Sequence, residues 1–225
     1  MLVCGGFFVA GALMWWAGYQ FLGHRIGMFV EADDFARIRK RFRRWIWTFR
    51  VHLFGHVTCA MGFAAIAVIV GDPENENARA AIAAGSFVAA TGLIVSALAA
   101  AYYYHFGAWG AVEMEGKPVA EVDDYVRSLR PGTEYITCLV RFGRVFFGLG
   151  QTVLGAGLLF TAGPPAWFAI PWIVLGVAAM ALTMAFPDNL DLGIPLFHAN
   201  ALWMLATGVL LLIPEERGPI FYPFI

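Results

Sequence analysis

The residues able to do chemistry in this 225-residue chain form a short list, headed by five histidines: His24, His52, His56, His105 and His198. His52 and His56 belong to the pentapeptide His52-Leu53-Phe54-Gly55-His56 and are spaced i, i+4. On a helix that spacing projects both rings from one face, the arrangement in which two imidazoles can serve one metal ion. Neutral imidazole is also the commonest protein metal ligand. Three arginines, Arg50, Arg141 and Arg144, fall close to the histidines in apolar surroundings, and Gln151 lies two turns beyond Arg144. Asp188 and Asp191 add carboxylates ahead of His198.

Three chemistries are open to this set. In the first, His56 pairs with His105 or His198 as axial ligands of a haem b, and Arg50, Arg141 or Arg144 meets its propionates. In the second, His52, His56 and His198, with Asp188 or Asp191, bind copper, iron or zinc directly. In the third, the histidines are polar groups satisfied by hydrogen bonds between helices or by headgroups, which suits His24 and His105 best. Other chemistries are excluded. The chain has no P-loop, dinucleotide-binding, nucleophile-elbow or CxxC pattern. The only lysines are Lys40 and Lys117, both between apolar runs, so no intramembrane lysine exists to carry a Schiff base. No second HxxxH box is present.

The elements that must hold these residues follow from composition. Hydrophobic residues make up 60% of the chain and charged residues 14%. A soluble domain carries about 25% charged residues, so most of this surface has to face lipid. Six runs are long enough to cross a bilayer, which takes about 20 apolar residues: residues 2–22, 46–70, 80–104, 136–160, 167–186 and 194–213. None contains Asp or Glu. The breaks are Gly71-Asp72-Pro73, Pro131-Gly132, Gly163-Pro164-Pro165, Pro187-Asp188-Asn189 and Pro214-Glu215. The expected fold is all-α: one polytopic bundle of about six transmembrane helices within a single domain, 1–225.

Thirteen of the fifteen Lys and Arg residues fall on one side of this topology; only Arg79 and Arg217 fall on the other. The positive-inside rule makes the rich side cytoplasmic. Loops 23–45, 105–135 and 187–193 are then cytoplasmic and both termini lie opposite, as expected for a protein of a bacterial inner membrane. The N-terminus lacks a basic leader region and reads as an uncleaved anchor. On this topology every histidine lies in the cytoplasmic half. His52 falls about 9 Å and His56 about 15 Å inside the second span at 1.5 Å per residue.

Two connecting stretches carry helical stripes, giving two short interfacial helices. Phe35, Ile38, Phe42 and Trp45 share one stripe, with Arg37, Arg39, Lys40, Arg41, Arg43 and Arg44 around it. That pattern predicts a helix lying in the interface, aromatics in the acyl boundary and the basic 37–44 segment on anionic headgroups. The second stretch begins at Pro118, with Val119, Val122, Val126 and Leu129 in register until Pro131. Small residues repeat every four positions at Gly92, Ser96 and Ala100, and at Gly148, Thr152 and Ala156, marking seams for helix packing within the bundle or against another subunit. Cys4, Cys59 and Cys138 have no ligand spacing and read as free, buried thiols. The net charge of −1 gives no argument for nucleic acid.

The function expected from these residues is an integral membrane subunit with a His-rich cofactor site, haem b or a transition metal, in a redox, electron-transfer or oxidase-type assembly with other membrane subunits. The alternative is a non-catalytic accessory subunit of a membrane complex. A small-molecule transporter comes third, weakened by the lack of intramembrane carboxylates and of an inverted repeat.

Overall fold

A computed structural model describes residues 1–21, 31–69, 75–161, 164–187 and 189–213. The described residues fold as α1 (Leu2–Phe21), α2 (Ala32–Lys40), α3 (Phe42–Ile69), α4 (Glu76–Glu113), α5 (Val119–Leu159), α6 (Ala166–Ala185) and α7 (Leu190–Leu212). All except α2 are long and apolar enough to span a membrane. They pack as a ring: α7 against α1, α1 against α3, α3 against α4, α4 against α5 and α5 against α6, with a sparse seam returning from α6 to α7. Phe8 and Trp15 of α1, Phe63 of α3, Leu93 of α4, Phe147 and Leu154 of α5, Trp172 of α6 and Met204 of α7 meet in one buried core.

Glycines set the spacing of the ring. A Cβ on Gly85 or Gly92 of α4 would collide with the α5 backbone at Leu154 or Phe147. Gly148 of α5 and Gly176 of α6 face each other's carbonyls, and Gly5 of α1 meets Gly208 of α7. Close backbone approach of this kind replaces the hydrophobic drive that lipid does not provide. Both small-residue seams are thus internal: Gly92 and Ser96 face Gly143 of α5, while Gly148 and Thr152 face Gly176 of α6.

Helices α4 and α5 outrun the bilayer. At 1.5 Å per residue, 38 and 41 residues extend about 57 and 61 Å, against a hydrocarbon core of about 30 Å. Their paired extensions project at the end of the bundle where the basic residues gather, called here the basic end. The stretch 118–131, expected as a separate interfacial helix, is the start of α5, which runs through Pro131 without a stop. Proline removes one helical hydrogen bond and crowds the preceding turn. Side chains tie the helix to α4 beside the proline: Thr133 Oγ1 donates to the Leu129 carbonyl at 3.1 Å, and the Tyr102 hydroxyl of α4 reaches the same carbonyl at 3.3 Å and Thr133 Oγ1 at 3.0 Å.

Helix α2 also differs from expectation. Its stripe does not turn to the acyl boundary. Phe35 and Ile38 are buried in protein, Phe35 against Gly110 of α4 and Tyr125 of α5. Trp45, at the start of α3, fills the notch left by Gly107 and donates its indole N–H to the Tyr103 carbonyl at 3.3 Å. An apolar helical stripe fits lipid and protein equally, and here the overhanging α4–α5 pair supplies the protein. The result is a second, smaller core at the basic end. Ion pairs ring it: Arg39–Glu115, Lys117–Glu121, Arg130–Glu134 and Arg127–Asp124.

Candidate functional site

The His52–His56 pair sits where α1 and α3 come closest. Gly55 lies against the α1 backbone at Trp15, and Gly18 of α1 lies against His52, where a Cβ would come within 2.8 Å of the His52 backbone nitrogen. These glycines bring a main-chain carbonyl of α1 to the imidazole. His52 Nδ1 lies 3.3 Å from the Trp15 carbonyl oxygen, and His56 Nδ1 lies 2.8 Å from the His52 carbonyl oxygen. A carbonyl only accepts, so each Nδ1 carries the proton and donates it. In the neutral ring that leaves the lone pair on Nε2, available on both histidines. A backbone carbonyl holding Nδ1–H is the usual support of an imidazole that ligates through Nε2.

The two rings stand 4.4 Å apart between centroids. His56 is buried and His52 half-buried. Trp15 packs edge-on to His56 at 5.3 Å and to Phe147 at 6.0 Å, and Phe197 of α7 lies 4.6 Å from Trp15 and 6.2 Å from His52. The site is therefore an aromatic nest formed by α1, α3, α5 and α7. By helix rise His56 lies about 20 Å from the start of α3.

One turn deeper is a polar pair of which sequence reasoning picked out Gln151 and missed Asn200. Gln151 of α5, fully buried, donates from Nε2 to Asn200 Oδ1 of α7 at 2.6 Å, and Asn200 Nδ2 donates to the Leu196 carbonyl at 2.9 Å. Gln151 Oε1 is a buried acceptor without a donor, and the Trp15 and Trp172 indole N–H groups are buried donors without acceptors. Such groups ordinarily find a partner. The signal for Asn200 was its own type: the one asparagine or glutamine in the sixth span, matched by the one in the fourth.

The remaining expected site residues are placed as follows. His198 borders the nest but turns to α1: Trp16 Nε1 donates to its Nδ1 at 3.0 Å, and Tyr19 packs on its ring at 5.5 Å. Its lone pair is therefore engaged, and its Nε2 carries the proton. His105 is exposed on α4, beside Phe106 and Trp109. Gly107 marks the level of Trp45, so His105 lies about 13 Å from His56 along the bundle. The structure thus sets neither His105 nor His198 opposite His56. Arg50 is exposed, donating to the Tyr104 hydroxyl at 3.0 Å and stacking on Trp47 and Tyr104 at 5.6 and 5.4 Å. Arg144 is half-buried within electrostatic reach of Tyr103, and Arg141 is half-buried on the same helix. Asp191 falls in the first turn of α7; its side chain, Asp188 and His24 lie outside the described residues. Cys4, Cys59 and Cys138 are free, and Cys138 is exposed rather than buried. Among the described residues no three of His, Cys, Asp and Glu come together as a metal-binding group.

Comparison with protein-family models, with curated proteins and with solved structures finds no match to this chain.

Proposed function

We propose that this protein is a membrane-embedded subunit of a redox assembly and that its His52–His56 pair contributes two imidazole ligands to one transition-metal ion, copper, iron or zinc, whose remaining ligands come from outside the pair. The observation that carries this reading is the tautomer geometry: two neighbouring rings, each with Nδ1–H committed to a main-chain carbonyl, and two free Nε2 lone pairs on one face of α3. Copper or iron bound there would supply one-electron chemistry in a low-dielectric surround, and zinc would supply Lewis acidity. The metal-ion form is favoured over haem b because Trp15 occupies the space 5.3 Å from the His56 ring, and the other candidate axial histidines are engaged or distant.

A second reading, a non-catalytic subunit in a larger complex, is supported by the lack of a third His, Cys, Asp or Glu beside the pair among the described residues. Purification in mild detergent, elemental analysis and a visible spectrum with and without dithionite separate the two. The metal reading predicts a transition metal in stoichiometric amount, lost in both His52→Ala and His56→Ala and retained in His105→Ala, with no Soret band. A folded, colourless, metal-free protein that does not take up added copper, iron or zinc sinks it and leaves the second. The basic residues of the α2–α3 junction and the sidedness they imply belong to the same proposal: the basic end faces the cytoplasm and anionic headgroups.

A further inference from the structure

Among the described helices, the seam between α6 and α7 is the sparsest of the ring. Gly176 of α6 is spent on α5, and Gly208 of α7 on α1; no described glycine of either helix faces the other. The helices part over an open groove of about 500 Å³, lined by Ile170, Pro171 and Val174 of α6 and by Ala199, Leu202 and Trp203 of α7 among others. Every lining residue is apolar apart from the indole N–H of Trp203, which is itself buried away from the opening. Val174 and Leu202 are 57% and 60% exposed, so the opening faces outward, into the plane of the bilayer. Ile170 to Leu175 lie about 6–14 Å along α6 from Ala166, which places the groove in the leaflet opposite the basic end.

Three occupants compete for such a groove. A second copy or a partner helix would need 20–30 residues on each side for a stable interface, and eight line this groove. Its volume falls instead within the about 300–1,000 Å³ of single-ligand sites. A molecule with a polar head would need hydrogen-bond partners in the groove, and the lining presents none to it. A plain hydrocarbon chain needs none. We propose that the α6–α7 groove holds an acyl chain of a phospholipid from the leaflet opposite the basic end, with the headgroup left at the membrane boundary near Ala166. The chain substitutes for the missing helix–helix contact. It packs on Trp203, whose ring is the wall between groove and core, 6.2 Å from Trp172 and 5.8 Å from Phe168.

Native mass spectrometry of the intact protein from detergent micelles tests this. The expected spectrum is a monomer retaining one phospholipid mass. Retention falls at least tenfold in Ala199→Phe and in Val174→Phe, which fill the groove from α7 and from α6. It is unchanged in Leu98→Phe, a 57% exposed control on α4. Delipidation lowers the melting temperature of the wild type, and adding back a defined phosphatidylglycerol or phosphatidylethanolamine restores it; Val174→Phe, at the exposed rim, melts as high without lipid as with it. An isoprenoid adduct, a dimer that the fillings abolish, equal retention in all variants, or a bare protein indifferent to delipidation each overturns the proposal.

Discussion

Around the ring, the closest helix contacts are glycine against backbone: Gly85 and Gly150 interlock α4 with α5, and Gly148 and Gly176 interlock α5 with α6. At the basic end they are ring against helix: Trp45 fills the notch at Gly107, and Phe35 fills the one at Gly110. The ring also buries polar groups without partners, at Gln151, Trp15 and Trp172. The basic end buries one carboxylate, Asp34, but with partners, the Glu31 backbone N–H and Arg37, and its other ion pairs are exposed. The difference follows from the solvent. Lipid gives apolar side chains no reason to leave it, so the ring relies on fit. The overhanging ends of α4 and α5 stand beyond the hydrocarbon, where burying Phe35 and Ile38 gains the ordinary hydrophobic free energy.

Four tests break or sharpen that contrast, in decreasing order of effect. Gly150→Leu puts a side chain into the backbone of α4 at Ala89, which no rotamer relieves; the expected result is no monodisperse folded protein by size-exclusion chromatography. Gly6→Leu, where a Cβ meets nothing within 4 Å, elutes as wild type. If both elute alike, glycine fit does not hold the ring. Trp45→Ala removes the plug of the smaller core and should cost about 3 kcal/mol, the low end for a buried aromatic. Its thermal unfolding in detergent should begin at the basic end, with faster hydrogen exchange in α2 and the first turns of α5. Exchange that rises in α6 and α7 instead would mean the two cores are one.

Gln151→Leu and Asn200→Leu each strand a buried amide partner and should each cost about 1–2 kcal/mol, whereas the double variant should lie near wild type because no polar group is left unpaired. Additive losses in that cycle would show that the pair is not a pair. Smallest of all, Arg39→Ala opposite Glu115, half exposed on both sides, should change stability by less than about 1 kcal/mol, with the difference shrinking further in salt.

Much of this was legible in the sequence. The six spans were readable because runs of about 20 apolar residues have few other uses, and the i, i+4 spacing fixed the shared face of His52 and His56. The overhang of α4 and α5 was not, because Pro131-Gly132 reads as a stop until Tyr102 and Thr133 are found tying the helix to α4 beside it. The burial of Phe35 and Ile38 was hidden for a related reason: one amphipathic stripe serves a membrane surface or a protein groove. Tautomers were beyond reach as well. Nothing in HLFGH says that Trp15 offers its carbonyl to His52, or that Trp16 takes the lone pair of His198; both depend on α1 approaching α3 and α7.

The central claim is that two neutral imidazoles, held by their Nδ1–H groups, present Nε2 to one metal. X-ray absorption at the edge of the metal found in the purified protein reads this directly. The account predicts two imidazole nitrogens at about 2.0–2.1 Å if the metal is zinc, in the wild type and in His198→Ala alike, and no protein-bound metal edge in His52→Ala or in His56→Ala. A spectrum without imidazole scattering, or one that neither substitution alters, would contradict it.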